Sequence, residues 1–205
     1  MNERPISDLV LVGGRACFDF TNTTSGRGGS RHLEHLTTAQ RIVDWAKHAG
    51  VVDAAEHRRI RADLAAEAPL LTPEALALRE GFYRLFAAVA AGRAPDAADL
   101  ALLNRCVERV YPHVAVVSED AGFALGWRPE PATPDAILRR LVRSAVDVLT
   151  HDALDRVKQC TGRDCGFLFF DETRNNSRRW CEMSLCGNRA KAQRSYRRRA
   201  RAPAG

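Results

Sequence analysis

The sequence predicts an α+β protein that is mainly α-helical, with a helical N-terminal domain, two small β elements and a compact cysteine-rich module near the C-terminal end. Three observations predict this class. The 205 residues are 45% hydrophobic and 27% charged, which is typical of a globular protein. Helix-capping signals recur through the first 150 residues, and four of the six cysteines cluster after them. This length allows one large domain or a domain with a small appended module.

Two β elements are predicted in the first part of the chain. Residues 9–12 and 16–20 are short apolar runs separated by Gly13 and Gly14, which predicts two strands joined by a tight turn. Residues 21–31 are rich in Thr, Asn, Ser and Gly and are predicted to form a loop. Residues 113–118 and 122–127 are short, largely apolar stretches with partial alternation, separated by Glu-Asp-Ala, which predicts a hairpin.

Five helices are predicted between and after these strands, each from an N-terminal cap and a helical spacing of apolar residues. Prolines help to set three of the boundaries, because proline is disfavoured inside a helix and favoured in its first turn. The first predicted helix runs from Thr37 or Thr38 to Gly50, the second from Asp53 to just before Pro69, and the third from Thr72 to Gly92. The fourth spans residues 96–110, and the fifth starts at Thr133 and continues to about Val157.

The cysteine cluster predicts a metal site. Cys160 and Cys165 form one Cys-x4-Cys pair, and Cys181 and Cys186 form a second pair after fifteen residues. Two such pairs are typical of a site in which four thiolates bind one tetrahedral Zn²⁺. In a reducing cytosol, metal ligation is favoured over two disulfides. The remaining cysteines, Cys17 and Cys106, have no neighbouring partner in the sequence, and we interpret them as small buried apolar side chains.

The residues around the cysteines predict a treble-clef-like zinc finger with four cysteine ligands. Residues 166–171 are predicted to form a strand that pairs with residues 178–181 through a turn at residues 175–177. Strong helix formers over residues 188–201 predict a helix with the last ligand in its first turn. Four cysteines complete the coordination shell, so we expect one structural Zn²⁺ per chain and no open catalytic position.

The positive charge is concentrated in this module. Residues 152–205 carry 13 basic and 6 acidic side chains, whereas the first 151 residues carry 18 and 19. Such a footprint favours a polyanionic partner over a merely solvated helix face. At least one nearby arginine is expected to steady the thiolates instead of binding the partner. The candidate DNA contacts are Arg178, Arg179, Arg189, Lys191, Arg194, Arg197, Arg198 and Arg201.

Two stretches resemble known families. The segment Cys181-Glu-Met-Ser-Leu-Cys186-Gly-Asn-Arg189, preceded by Ser177-Arg-Arg-Trp180, resembles the CGNR zinc finger family. The segment Phe18-Asp-Phe-Thr-Asn-Thr23, together with residues 45–50, looks like the ABATE domain. The residues just before Asp19 are usually leucine-rich in that family, whereas they are Arg15-Ala-Cys-Phe18 here. The first resemblance implies a bacterial protein with a zinc-binding and DNA-binding C-terminal domain. The second implies a stress-induced transcription regulator with a ligand-binding role.

These observations lead to one functional hypothesis and one alternative. We expect a zinc-dependent, DNA-binding transcription regulator in which residues 1–151 form an ABATE-like regulatory domain and residues 152–205 form the finger. The N-terminal domain would sense a small-molecule effector or mediate homodimerisation. The alternative is a non-catalytic finger that binds RNA or a protein partner.

The remaining signals concern a possible ligand site, catalysis and location. Asp19 and Asn22 beside Trp45 could hold a small ligand, but such residues more often bond an adjoining turn, and we favour the turn. The six histidines are scattered and form no motif with a nucleophile or paired carboxylates, so no catalytic residue and no enzyme are predicted. The first residues lack a secretory signal and no apolar run could cross a bilayer, which predicts a cytoplasmic protein.

Overall fold

The computed structural model describes residues 4–29, 32–120, 122–129 and 131–201, with the backbone alone at residues 65–70, 194–195 and 197–201. It confirms the mainly helical fold class with small two-stranded sheets and a C-terminal four-cysteine cluster. None of the helices in these ranges is long and apolar enough to span a membrane. The elements are α1 (Ala16–Thr21), β1 (Thr24–Ser25), β2 (Leu33–Glu34), α2 (Ala39–His48), α3 (Ala54–Ala90), α4 (Ala97–Val110), β3 (Val114–Glu119), β4 (Gly122–Trp127), α5 (Pro134–His151), β5 (Val157–Gln159), β6 (Leu168–Phe170) and α6 (Asn188–Arg201).

The first predicted β element is wrong. Residues 9–12 form no strand, and residues 16–21 form the short helix α1. Its side chains enter the main core, where Phe18 packs edge-to-face on Phe86 of α3 with ring centroids 4.9 Å apart. A short apolar run that is buried on most sides cannot be assigned to helix or strand by periodicity alone. The predicted loop after α1 contains a short antiparallel pair, because Thr24 pairs with Glu34 and Ser25 with Leu33.

The predicted start and stop of α2 are confirmed. The Thr38 side chain accepts a hydrogen bond of 3.3 Å from the Arg41 backbone N–H, which is the expected N-cap. Gly50 follows the helix with a φ of 69°, a left-handed conformation that favours glycine. The buried face of α2 includes Ile42 and Trp45.

The two helices predicted on either side of Pro69 are one continuous helix, α3, of 37 residues. Asp53 caps it as predicted, in a reciprocal capping box with Glu56. The backbone stays helical at both Pro69 and Pro73. The apolar face continues in phase across both prolines and is buried in the core, so packing overrides a cost of roughly 3 kcal/mol for an interior proline. Its buried members are Ile60, Leu64, Leu71, Ala75, Leu78, Phe82, Leu85 and Phe86.

The next two elements match their predictions closely. Asp96 caps α4, with its carboxylate accepting a 2.8 Å hydrogen bond from the Ala98 N–H. Strands β3 and β4 form the predicted antiparallel hairpin, with Val116 opposite Leu125 and Val114 opposite Trp127.

Helix α5 ends at His151, about six residues earlier than predicted. The Asp152 carboxylate accepts hydrogen bonds of 2.8 and 3.0 Å from the Arg15 guanidinium, which hold the chain in an extended conformation at this point. A 3-10 turn (Leu154–Arg156) and strand β5 follow, and β5 pairs with β6. The predicted partner of β6, residues 178–181, is therefore wrong. Strand β5 wins this pairing because Val157, Leu168 and Phe170 bury their side chains in the main core.

Candidate metal centre and basic helix

Four short backbone segments bring the predicted ligands together. Cys160 follows β5, Cys165 lies in the turn before β6, Cys181 lies in the following loop, and Cys186 lies in a π-helical turn (Met183–Gly187) that leads directly into α6. The four sulfur atoms all lie within 4.8 Å of one another. The structure therefore unites the ligand set that the sequence predicts.

The sulfur geometry fits tetrahedral zinc. The Cys181 Sγ lies 3.7 Å from the Cys165 Sγ and 3.7 Å from the Cys186 Sγ. A tetrahedron with Zn–S bonds of about 2.3 Å has sulfur–sulfur edges of about 3.8 Å. Four thiolates would complete the shell of one structural Zn²⁺, leaving no position for a substrate.

The first cysteine pair is shaped by a tight turn. The Cys160 N–H donates to the Phe167 carbonyl oxygen at 2.8 Å, and the Cys165 N–H donates to the Gly162 carbonyl oxygen at 3.2 Å. The Gly162 N–H lies 3.3 Å from the Cys160 Sγ, a contact that stabilises a thiolate. A Cβ atom at Gly162 would lie 2.8 Å from the Cys186 Sγ, so only glycine fits beside the metal position.

The thiols of the cluster influence one another's pKa values. The pKa of Cys160 is lowered by hydrogen bonds from the Cys165 and Cys181 thiols, whereas burial raises the pKa of Cys186. Zinc would supply the charge needed to hold all four groups as thiolates, with release of their protons.

The Arg178 side chain points into the protein. Its guanidinium donates to the carbonyl oxygens of Val12 at 3.0 Å, of Trp180 at 3.1 Å and of Cys181. It also lies over the Phe169 ring, with the guanidinium carbon 4.4 Å from the ring centroid. These contacts stabilise the loop that carries Cys181, and they are to carbonyl oxygens and a ring, not to the sulfur atoms.

The other candidate DNA contacts lie at the surface or outside the described side chains. Arg179, Arg189 and Lys191 are exposed, and Arg179 lies 5.8 Å from the Trp180 ring centroid. Arg179 and Arg189 line an open cleft of about 1,400 Å³, whose other side is formed by residues of the N-terminal part such as Val10 and Leu33. Helix α6 forms as predicted. The side chains of Arg194, Arg197, Arg198 and Arg201 lie outside those that the structure describes.

The finger is joined to the helical N-terminal part, here called the body, which precedes residue 152. Hydrogen bonds connect the two in addition to the chain itself. The Phe170 N–H donates to the Gly13 carbonyl oxygen at 2.8 Å, and the Gln159 side chain donates to the Tyr83 hydroxyl of α3 at 2.8 Å. The Asn22 side chain forms two hydrogen bonds with the Leu168 main chain. The sheet of the finger therefore packs as part of the body.

The three candidate ligand-binding residues all have structural contacts. The amide of Asn22 is engaged by Leu168, and the Asp19 carboxylate accepts a 2.8 Å hydrogen bond from the Gly13 N–H. Burial raises the pKa of Asp19 to about 6. Trp45 is completely buried, with its ring centroid 5.3 Å from that of Phe20. Ligand binding by these side chains stays a prediction. The contacts that the structure shows stabilise the fold around α1 and β6.

The sequence reasoning missed Asp171, whose buried carboxylate organises the loop before Cys181. It accepts hydrogen bonds from Lys158 Nζ at 2.8 Å, from the Thr173 N–H at 2.9 Å and from the Arg178 N–H at 2.7 Å. Burial alone would raise the pKa of Asp171, but these hydrogen bonds outweigh it and lower the pKa. The local signal was the Asp-x-Thr spacing of an Asx turn. Lys158 could not be found locally, because it reaches Asp171 through the β5–β6 pairing.

Two family models match the chain, and they meet close to the boundary between residues 151 and 152 that the sequence predicts. Residues 14–152 match the family model ABATE, described as "Putative stress-induced transcription regulator". Residues 156–199 match the CGNR zinc finger model, zf-CGNR. No curated protein matches the chain. Both resemblances stated from the sequence are thus confirmed, and the four clustered cysteines are those of the zinc finger.

Proposed function

Because the chain belongs to the ABATE family and carries a CGNR zinc finger, we propose that it is a zinc-dependent transcription regulator that binds DNA through the finger. Residues 152–205 serve as the DNA-binding unit, and residues 1–151 serve as the regulatory unit. The protein performs no catalysis, and it acts in the cytoplasm.

The observation that carries this proposal is the connection between the metal cluster and α6. Cys186 lies in the π-helical turn that continues into α6, so a bound zinc ion holds the start of the basic helix. Arg189 and Lys191 are exposed within the first turn of this helix. From residue 174 to residue 201 the chain has ten basic side chains and one acidic side chain, Glu182. This arrangement presents positive charge on a fixed scaffold, as phosphate binding requires.

The test is the salt dependence of DNA binding by the full-length, zinc-loaded protein. Fragments of genomic DNA retained by the protein supply the duplex, and fluorescence anisotropy measures its affinity over a range of salt concentrations. Affinity should fall steeply with salt. Arg189→Ala and Lys191→Ala should each reduce the steepness of the plot of log K against log salt concentration by about 1. Arg93→Ala is the matched control, because Arg93 is exposed just after α3 and lies outside the basic segment of residues 174–201.

The result also separates the alternative partners. Binding that does not depend on salt, or no binding to any duplex, would contradict the proposal and favour an RNA or protein partner for the finger. The whole chain is required for this test, because β5 and β6 bury side chains in the core of the body.

The regulatory unit offers a surface for homodimerisation as well as cavities for an effector. Val116, Phe123 and Leu125 are 69, 82 and 53% exposed. They lie on one face of the β3–β4 hairpin, since Val116 pairs with Leu125 and Ser118 with Phe123. The hairpin's own side chains on this face are uncharged, and a two-stranded sheet gains stability when an apolar face is covered. A second copy could cover it by a symmetric contact.

Light scattering coupled to size-exclusion chromatography tests the dimer. A concentration-dependent dimer should be lost in Phe123→Ser but kept in Leu11→Ser, which changes an exposed leucine elsewhere on the body. A monomer at every concentration would remove dimerisation from the proposal and leave ligand sensing as the role of the body.

A further inference from the structure

A cavity of about 330 Å³ lies between α3, α4 and α5, and all of its lining residues belong to the body. Its volume is at the lower end of the roughly 300–1,000 Å³ that is usual for small-molecule sites. The cavity accordingly fits a compact ligand. Its walls are mostly apolar and include Leu78 from α3, Leu102 from α4, and Leu138 and Val142 from α5.

The rim of this cavity is charged and is held in place by ion pairs. Arg109 of α4 pairs with Glu74 of α3 and, at 3.0 Å, with Asp135 of α5. Asp135 also pairs with Arg139, which lies one turn further along α5. These contacts tie the three helices together around the opening, so the cavity has a defined shape before a ligand arrives.

Arg105 differs from the other charged residues of the rim. It is exposed, it lines the cavity, and it forms no ion pair with any residue that the structure describes. The other two arginines of the rim, Arg109 and Arg139, pair with its carboxylates, so Arg105 is the guanidinium that an anionic ligand can reach beside the apolar space. An arginine in this position can bind a carboxylate through two parallel hydrogen bonds.

We propose that this cavity binds a small carboxylic acid with a compact aromatic or branched aliphatic body. The apolar body lies among the leucine and valine side chains of the three helices, and the carboxylate contacts the Arg105 guanidinium at the opening. This division of roles is common in ligand sites, where apolar walls supply contact area and one charged group fixes the orientation.

The link from this site to DNA binding runs through α5, and that part rests on the proposed function. Leu138 and Val142 line the cavity, and α5 leads to Asp152, which Arg15 holds at the entrance to the finger. If the ligand changes the affinity for DNA, then DNA must change the affinity for the ligand by the same factor. The binding of the acid itself does not depend on DNA, so the two proposals can fail separately.

The test uses the zinc-loaded full-length protein without DNA and three probes, namely benzoate, phenylacetate and 3-methylbutanoate. Isothermal titration calorimetry should show saturable 1:1 binding of at least one acid. Benzamide, which has the shape of benzoate without its charge, should bind about tenfold more weakly than benzoate, because it cannot form the charged hydrogen bonds. Arg105→Gln should remove this preference for the acid.

A second set of variants tests the position of the site. Ala77 lines the cavity and is exposed, so Ala77→Phe should obstruct the opening without disturbing the core and should abolish binding. Ala101→Phe is the matched control, because Ala101 is exposed on the same helix face as Arg105 but does not line the cavity. The acid should also slow the alkylation of Cys106, a half-buried residue of the cavity wall, as measured by peptide mass spectrometry.

Three results would overturn the inference. These are the absence of saturable binding for all three acids, equal affinity for benzoate and benzamide, and binding that survives in Ala77→Phe. DNA affinity is measured separately in the presence of the acid. An unchanged DNA affinity with normal binding of the acid would reject only the regulatory link.

Discussion

The Asn22 side chain and the Leu168 main chain form two hydrogen bonds, 2.8 Å from Asn22 Nδ2 to the Leu168 carbonyl oxygen and 2.9 Å from the Leu168 N–H to Asn22 Oδ1. The amide therefore takes the place of a neighbouring strand at the free edge of β6. Because Asn22 follows α1 in the body and Leu168 lies in the finger, this pair helps to set the orientation of the finger.

Asn22→Ala should destabilise the protein by about 2–4 kcal/mol, because it leaves two buried main-chain groups of Leu168 without partners. Chemical denaturation followed by circular dichroism measures the change. Asn175→Ala is the control, since Asn175 is exposed, and it should change the free energy of unfolding by less than about 0.5 kcal/mol. An Asn22→Ala protein as stable as the wild type would show that these hydrogen bonds contribute nothing measurable.

Arg178 and Arg179 are adjacent in the sequence, but substitutions at the two positions should affect different properties, namely stability and zinc retention for Arg178 and DNA binding for Arg179. Arg178→Ala removes donors to the carbonyl oxygens of Val12, Trp180 and Cys181, so it should speed the loss of zinc to a chelator and lower stability by about 1–3 kcal/mol. Arg178→Lys should restore little, because lysine lacks the planar fork.

Arg179→Ala should leave stability and zinc retention unchanged, because the side chain is exposed. If Arg179 contacts a phosphate, this substitution should reduce the salt slope of DNA binding by about 1. Zinc release from the two variants is followed with a chromogenic chelator. Equal rates of release would contradict the distinction between the inward and the outward arginine.

Elemental analysis should find one zinc ion per chain. Cys186→Ser should lose the ion and part of the helical circular dichroism signal, since Cys186 connects the metal cluster to α6. Cys106→Ser is the control, because Cys106 lies outside the cluster and should leave the zinc content unchanged. A chain with no zinc, or a Cys186→Ser protein with a full zinc content, would reject the assignment of the ligands.

Asp19→Asn should stabilise the protein near pH 7.5 by an amount on the order of 1–2 kcal/mol. Burial raises the pKa of Asp19 to about 6, whereas an unfolded aspartate has a pKa of about 3.9. The stability that this group contributes is therefore fully present below about pH 4 and is lost as the pH rises through about 6. Asparagine remains neutral and keeps an oxygen for the hydrogen bond from the Gly13 N–H.

Thermal denaturation over pH 4–8 measures this effect. The difference between the Asp19→Asn protein and the wild type should shrink towards pH 4, where Asp19 is protonated in the folded protein. Asp63→Asn, at an exposed position of α3, is the control for the change in net charge. A variant that is less stable than the wild type at pH 7.5 would show that the charged form is favoured by its neighbours.

The sequence alone determined the features that depend on residues close together in the chain. The caps Thr38, Asp53 and Asp96 form as predicted, because a capping side chain bonds a backbone group only two or three residues away. The cysteine spacing predicted the metal ligands for a similar reason, since each short turn presents two sulfur atoms. The motifs by which the sequence resembles the two families, at residues 18–23 and 177–189, are also short stretches.

Only the tertiary structure decided features that depend on distant burial and pairing. Residues 16–21 become a helix because they enter a core built by α3 and α5, and α3 continues through Pro69 and Pro73 because its buried face stays in phase. Strand β6 pairs with β5 because that arrangement buries both strands against the body. The inward position of Arg178 likewise requires carbonyl oxygens from separate loops. Local propensities separate the helical, extended and turn conformations of a segment by only a few kcal/mol. The free energy of burying apolar side chains against distant elements therefore decides which conformation forms.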